Sequence, residues 1–431
     1  MGMEKLASFA GLLGLIAIAW ALSVDRRAVR WRPVLWGVGL QLVFAALVLL
    51  PDLGKEIFAA VDVGVRKLVS FSEMGSDFVF QSVQKHDITI YTQEGAPVVA
   101  TIQGGISPPL KTLAFWVLPT VMFFSALMAL LYHYGIMQWV VRFFAVIMQK
   151  TLGTSGAESL SAAANIFVGQ TEAPLVVRPF VDRMTKSELN AVMVAGFATV
   201  AGGVMAIYVA ILPIPGIAGH LVTASILSAP AALAVAKLMV PETETPATLG
   251  RVDFAVERLD VNGLDALTRG TLEGLGLFLN IVAMLFVFYA MVMLVNAVLG
   301  AVGDLVGLEL SLEILLGYLF APFAVLMGIP LDEAVPSGML LGKKMALTEL
   351  FAYLDFGQLQ RSADALSERS AVIMSYALCG FANFASIGIQ IGGIGGMAPG
   401  RRADLARLGM RAMIGGTIAA MMTGAVAGLF I

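Results

Sequence analysis

The sequence predicts an all-α polytopic membrane protein: eight transmembrane helices plus two re-entrant hairpins in inverted repeats, accompanied by interfacial helices. Three observations lead there. Of 431 residues, 58% are hydrophobic and only 13% charged, and mean hydropathy is +0.87, whereas an average soluble chain is about 25% charged. Apolar runs of ~20 residues, enough to cross a hydrocarbon core, recur along the chain. Two further apolar stretches are interrupted by amides, carboxylates and glycine in a way that no lipid-facing helix tolerates. A soluble enzyme with a solvated face is excluded, and so is disorder, which needs low hydrophobicity and high charge. Net charge −3 gives no electrostatic reason to expect nucleic acid as a partner. The single cysteine, Cys379, rules out an intramolecular disulfide and a cysteine-based zinc site. The 45 glycines and 23 methionines suit close helix packing and adaptable apolar filling.

The first span runs from about Leu6 to Val24 and is followed by Arg26, Arg27, Arg30 and Arg32. A cleaved signal peptide would carry its positive charge before the apolar run. The reversed order predicts an uncleaved helix with its N-terminus outside. Span two, Val34–Leu50, returns outward. A more polar stretch, Pro51–Lys111, follows, and its segment Ile88–Gly105 has the composition of a small exposed hairpin. Span three, Leu113–Tyr132, brings the chain inside, where Arg142, Lys150, Arg178, Arg183 and Lys186 cluster. Spans four (Val192–Ile211) and five (Leu221–Val240) are joined by the Pro213–Gly219 turn. The charged connection Pro241–Arg269 is read as cytoplasmic. Span six, Leu275–Val298, goes out within a stretch from Gly270 to Gly342 that has no Lys or Arg but carries Asp304, Glu309, Glu313, Asp332 and Glu333, and that therefore reads as largely external. Span seven, Ala371–Ile394, leads back to Arg401, Arg402, Arg407 and Arg411, and span eight, Met413–Ile431, ends outside. Arg361 and Arg369 are exceptions on the outer side.

The interrupted stretches are Ser155–Phe180, broken by Asn165, Gly169, Gln170, Thr171, Glu172 and Pro174, and Val335–Phe356, broken by Gly342, Lys343, Lys344, Thr348 and Glu349. Non-helical backbone at membrane depth survives only inside protein or beside a water-filled cavity. Both stretches are therefore read as re-entrant hairpins. An apolar helix precedes each, Gly135–Leu152 and Ser311–Gly328, and both are read as interfacial.

These pieces recur in order. Each hairpin carries a Thr-Glu pair, Thr171-Glu172 and Thr348-Glu349, and each is followed by a broken helix. The helices begin Ser187-Glu188 and Ser367-Glu368 and reach Gly196-Phe197-Ala198 and Gly380-Phe381-Ala382. Ser to Gly is nine residues in the first copy and thirteen in the second, a difference of about one helical turn. The charge pattern sends the first hairpin in from inside and the second from outside. Inverted repeats with discontinuous helices point to a transporter site at their interface.

Glu172 and Glu349 are the principal candidates, because an ionisable group inside the membrane is costly and usually functional. Their alternative role is to cap nearby backbone N–H groups. Asn165, Thr199 and Asn383 offer hard oxygen donors near helix breaks, where such folds bind Na⁺, or they serve as interhelical hydrogen-bonding groups. Phe381 is placed to stack on a ligand or to pack the core. Lys343 and Lys344 are read as snorkelling or salt-bridged. No nucleophile–base or His-Glu metal constellation supports an enzyme, and no phosphate-binding Gly-Lys-Ser/Thr loop supports ATP-driven transport.

The motifs Gly169-Gln170-Thr171-Glu172-Ala173-Pro174 and Cys379-Gly380-Phe381-Ala382-Asn383-Phe384 make the chain similar to the concentrative nucleoside transporters, in their short, bacterial, eight-span form. Gly75–Phe80, Leu118-Pro119-Thr120 and Tyr134–Gln138 add to the resemblance, which covers roughly Phe71 to the C-terminus; before that only hydropathy matches. The resemblance implies a homotrimer in the bacterial inner (plasma) membrane, in contact with the lipid bilayer and without a resident cofactor. It implies secondary active uptake of nucleosides by alternating access, driven by a coupling cation, with Na⁺ favoured. A proton-coupled symporter and a hairpin transporter of another small polar solute are the alternatives. By matching positions, Gln170, Thr171, Glu172 and Val204 would meet the base. Glu349, Asn383 and Ser386 would meet the ribose, and Phe381 would line the site. Asn165, the Val168 carbonyl, Thr199 and Gly203 would form the cation (metal) site. The chain would divide into residues 1–134 (scaffold spans one to three), 135–240 (repeat 1), 241–307 (connection and scaffold span six) and 308–431 (repeat 2). Thr348 and Ala385 depart from the residues common in the family, Asn and Ser.

Overall fold

In a computed structural model, residues 3–49, 52–80, 86–91, 97–102, 112–250 and 260–431 are described. Helices α1 (Met3–Ala21), α2 (Trp31–Leu49) and α3 (Asp52–Phe80) open the chain, followed by strands β1 (His86–Tyr91) and β2 (Pro97–Ile102). A π-helical turn, Leu113–Val117, leads into α4 (Thr120–His133) and α5 (Ile136–Leu152). Hairpin 1 consists of α6 (Gly156–Ala164), a turn, a 3-10 segment Ala173–Val177 and α7 (Arg178–Val181). Then come α8 (Lys186–Ala198), α9 (Gly202–Ile211), α10 (Ile217–Met239) and α11 (Gly263–Val306). The second half contains α12 (Leu312–Leu326), α13 (Leu331–Ala346), α14 (Glu349–Leu359), α15 (Glu368–Leu378), α16 (Phe384–Met397) and α17 (Arg402–Phe430).

Seven of the eight expected spans fall on segments long and apolar enough to cross a membrane among the described residues. The expected span seven is divided between α15 and α16, neither of which is long enough alone. Helices α12 and α13 form a pair bent by 118°. The small hairpin forms as an antiparallel ladder from His86↔Ile102 to Tyr91↔Pro97; residues 103–105 lie outside the described residues. The polar stretch after span two contains a helix that hydropathy did not reveal, the 29-residue α3. Lys55, Glu56, Asp62, Arg66, Lys67, Glu73 and Asp77 interrupt its apolar run. Asp62 ties it to the start of α10 by accepting from Ala218 N at 3.0 Å. Several other bounds also shift. Span six belongs to a helix that begins at Gly263, inside the expected connection, because Asn262 caps it by accepting from Leu264 N and Asp265 N. The turn before α10 closes at Gly216, and span eight belongs to a single helix, α17, that already begins at Arg402.

The centre of the molecule is α8, α10 and α17, which pack on one another. The α10 span is 89% buried within the chain, whereas α11 is 6% buried and lies on the outside against α4. That crossing is close. A Cβ on Gly270 would stand 2.7 Å from Ala126 Cα, and one on Gly274 2.6 Å from Met122 Cα, the small-xxx-small arrangement of tightly packed membrane helices.

Arginines satisfy the carbonyls that helix ends leave free. At one end of the molecule Arg369 donates to Ile431 O at 2.9 Å and Gly428 O at 2.8 Å and pairs with Glu4 at 3.4 Å, so the start of α1 and the end of α17 lie together. Arg361 donates to Ile211 O, the last residue of α9, at 2.7 Å. These contacts account for the two basic exceptions to the charge pattern. At other helix ends Arg32 donates to Lys150 O at 2.9 Å and Arg411 to Leu22 O at 2.6 Å.

The repeat is present, but its register differs from the sequence alignment. The first broken helix is capped by Thr185, in a reciprocal capping box with Glu188, and the second by Ser367. Thr185, not Ser187, is thus the counterpart of Ser367. Gly196 lies inside α8, whereas Gly380 lies in the break after α15 with φ +155°. The Gly-Phe-Ala tripeptides are therefore not equivalent. What corresponds is the breaks, residues 199–201 and 379–383.

Candidate functional site

The two breaks touch. Phe381 N donates to Thr199 O at 3.3 Å. A Cβ on Gly380 would stand 2.8 Å from the carbonyl oxygens of both Phe197 and Ala198. Only glycine permits that approach, so the crossing of the half-helices is written into this one residue.

Hairpin 1 presents one polar group to this crossing. Its turn is closed by Glu172, whose Oε2 accepts from Gly169 N at 3.2 Å. Gln170 is buried; its Nε2 donates to Ser386 Oγ at 3.0 Å and its Oε1 accepts from Gln390 Nε2 at 3.0 Å. Gln390 also donates to Met193 O at 3.2 Å, and its own Oε1 is buried without a partner. Hairpin 2 presents the other group. Glu349, 5% exposed, occupies the first turn of α14, where the helix dipole favours a carboxylate. Its Oε1 accepts from Tyr208 OH at 3.0 Å and its Oε2 from Asn383 Nδ2 at 3.1 Å. Asn383 caps α16 by accepting from Ser386 N at 2.8 Å. The Asn383–Ser386 turn thus joins the two clusters. Tyr208 stacks on Tyr353, with ring centroids 4.0 Å apart, and Tyr353 OH donates to Ser375 O at 2.8 Å, which backs the carboxylate with a fixed wall.

Behind hairpin 1 lies a set of oxygens. Asn165 is fully buried; its Nδ2 donates to Ser161 O at 3.1 Å and its Oδ1 has no partner. Gly202 N donates to Phe167 O at 3.1 Å, which holds residues 166–168, including Val168, against the break that contains Thr199. Thr199 Oγ1 donates to Ala195 O at 2.8 Å, so its lone pairs remain available.

The expected residues are thus brought together unevenly. Gln170, Ser386, Asn383 and Glu349 form one connected cluster, and Asn165, Val168 and Thr199 lie about the first break. Val204 is buried one helical turn from Tyr208 on α9, and Phe381 is half-buried beside Asn383. Thr171 turns its methyl group to α16, where a Cβ on Gly393 would meet it at 2.7 Å. Gly203 faces α4 instead, with a would-be Cβ 3.4 Å from Phe124. Glu172 is exposed and caps its own turn. Lys343 is salt-bridged, to Glu313 at 3.5 Å and to Asp355. Lys344 is neither snorkelling nor paired with a carboxylate: it is 3% exposed and donates to Ala377 O at 3.0 Å. Sequence reasoning missed Tyr208 and Gln390. Gln390 carried a signal, since positions 383, 386 and 390 share one helical face; Tyr208, an aromatic in an apolar run, carried none.

Three family models match the chain. Residues 10–83 match the Na⁺-dependent nucleoside transporter N-terminus, 114–215 a nucleoside-recognition (gate) domain, and 220–428 the Na⁺-dependent nucleoside transporter C-terminus. An uncharacterized transporter of Haemophilus influenzae is 43% identical across 100% of this chain and 98% of its own length. This chain belongs to the Na⁺-dependent nucleoside transporter family. Rat solute carrier family 28 member 3 is 39% identical across 100% of this chain, which spans 59% of that longer protein. The family member CNTnw, in an inward-facing substrate-bound state, superposes with a TM-score of 0.88 at 39% identity, covering 99% of this chain and 98% of its own. An outward-facing variant of CNTnw gives the same TM-score at 38% identity, covering 100% and 98%.

Proposed function

We infer that this protein is a Na⁺-coupled nucleoside transporter that works by alternating access. The observation that carries the reading is the cluster at the crossed breaks, with an amide from hairpin 1 and a carboxylate from hairpin 2 joined through the N-terminus of α16. A nucleoside has a base with donors and acceptors at one end and vicinal hydroxyls at the other, and it must shed water to enter. Gln170 retains one N–H and one carbonyl lone pair beyond the bonds it makes, which suits a base edge. Glu349 accepts two hydrogen bonds and has capacity for about two more, which suits a pair of ribose hydroxyls. Phe381, Val204 and Thr171 supply apolar lining, and Glu172 acts on the base side once the hairpin turn opens.

Na⁺ is the coupling ion in this reading, held by Asn165, the Val168 carbonyl and Thr199. The unpartnered Asn165 Oδ1 supports it, because a buried acceptor without a donor is costly unless a cation or water meets it. Gly203 contributes by letting α9 approach α4. One ion suffices: moving one charge through ~100 mV supplies ~2.3 kcal/mol. A tenfold Na⁺ gradient adds ~1.4 kcal/mol, and together these sustain concentration ratios of roughly several hundred.

The mobile part in this reading is residues 135–240 and 308–431, with both hairpins re-entrant, and the scaffold is 1–134 and 241–307. A homotrimer in a bacterial plasma membrane, with both termini outside, completes the reading. The exposed Phe78 and Val79 on α3 and the exposed apolar length of α11 support partners in lipid or in neighbouring protomers. Counterflow in proteoliposomes tests the whole: a transporter loaded with unlabelled uridine accumulates labelled uridine transiently above equilibrium. Simple equilibration would mean a channel, and a chemically altered product an enzyme.

A further inference from the structure

Lys344 projects from the last turn of α13, the first helix of hairpin 2. Its ammonium is buried and rests on Ala377 O, in the last turn of α15, immediately before the second break. In the first repeat the corresponding place is the end of α8, faced by the end of α6. There, among the described residues, no lysine or arginine is hydrogen-bonded, and the groups present are the orphaned Oδ1 of Asn165 and the hydroxyl of Thr199. The C-terminal end of a half-helix carries about half a negative charge, and its free carbonyls are cation sites in discontinuous helices. Two such ends are buried here, one in each repeat, and each needs a positive partner.

We propose that Lys344 is a tethered cation that fills, in the second repeat, the position the coupling ion takes in the first, and so fixes coupling at one ion per nucleoside. The proposal rests on the reading that Asn165 and Thr199 bind that ion. The ammonium moves with the mobile part and returns with it when empty, so it carries no net charge through a cycle. A free ion in its place would be released and would add a charge to every cycle.

The test is the zero-flux membrane potential in proteoliposomes at set Na⁺ and uridine gradients, which reads charges moved per uridine. The parent should move one, with hyperbolic Na⁺ activation. Lys344→Gln should require a second ion: activation becomes sigmoidal and charge per uridine rises toward two, whereas Lys344→Arg keeps one. Two charges per uridine in the parent, or one charge and an unchanged hyperbolic curve in Lys344→Gln, overturns the proposal. If Lys344→Gln binds but does not transport, Na⁺ titration of uridine binding in detergent replaces the flux reading, and hyperbolic dependence overturns it. If that variant does not assemble, the parent's stoichiometry decides. Na⁺-independent uptake by the parent would instead sink the Na⁺ reading, and it is seen before any variant is made.

Discussion

Phe381 N and Thr199 O are hydrogen-bonded at 3.3 Å, and this backbone hydrogen bond joins the break of one repeat to the break of the other. It places the hydroxyl of Thr199 on one side of the crossing and the side chain of Asn383 on the other. Across that one hydrogen bond, Thr199 faces a residue two positions before Asn383, whose amide touches Glu349.

Asn165→Ala removes the free buried oxygen behind hairpin 1. The half-saturating Na⁺ concentration should rise about tenfold or more, the equivalent of ~1.4 kcal/mol or more. Uptake measured against Na⁺ checks it; an unchanged activation curve in a fully Na⁺-driven variant would move the ion elsewhere.

Gln170→Ala removes one hydrogen-bond partner each from Gln390 and Ser386, together with the amide proposed to meet the base. A loss of about 1–3 kcal/mol in apparent affinity is expected for lost buried hydrogen bonds. The losses should be unequal for purine and pyrimidine nucleosides in competition against labelled uridine. Equal losses for all of them would mean that this tip does not read the base.

Glu349→Gln exchanges one acceptor oxygen for a donor that faces the donors of Tyr208 and Asn383. Most uridine uptake should vanish while the protein stays folded and in the membrane. In the parent, 3′-deoxyuridine should compete less well than uridine by about 1–3 kcal/mol, because a carboxylate lone pair is left unpaired. In Glu349→Ala that preference should shrink. A preference fully retained in a binding-competent Glu349→Ala protein would assign the sugar to Asn383 and Ser386.

Gly380→Ala puts a Cβ 2.8 Å from two carbonyl oxygens. The half-helices must separate, and the melting temperature should fall, with a cost of about 1–3 kcal/mol. Uptake should fall with it. A variant of parental stability and rate would show that the crossing is not fixed.

Asp260 accepts from Arg269 Nε at 2.7 Å and NH2 at 2.9 Å, and these hydrogen bonds hold its carboxyl below the usual range. A depressed carboxyl stabilises above its unfolded pKa, ~3.9, and loses that contribution as pH falls through the folded value. Asp260→Asn should cost below about 1 kcal/mol at pH 7, as befits a partly exposed pair. The difference from the parent in thermal melting should close only as pH falls below the usual carboxylate range, through the lowered folded value.

The spans were legible because burial in lipid demands long apolar runs, and the hairpins because polar groups in such runs have to be explained. The repeat was legible in order but not in register. Chemistry repeats as Thr-Glu and Gly-Phe-Ala, whereas structure repeats as caps and breaks, and Gly196 and Gly380 serve different ends. The α3 helix was hidden because its apolar face is divided by charge. Of the site, the hairpin residues were readable as costly polar groups. Tyr208 was not, since a tyrosine in Ile207–Ile211 reads as packing until its hydroxyl is seen on Glu349. Gly203 and Thr171 were assigned by position, and their contacts are with α4 and α16.

Helix α11, with 44 residues, is about 66 Å long, roughly twice a hydrocarbon core of ~30 Å. Exposed apolar side chains recur along it from Leu275 to Val302, and the exposed Glu273 and Asp304 bracket them. Such a helix must lean or thicken the bilayer around it. Because Gly270 and Gly274 lock it to α4, whatever lean it takes is shared by the helix that faces Gly203. A change in membrane thickness that altered the lean of α11 would therefore act on α4 as well, through the Gly270 and Gly274 contacts.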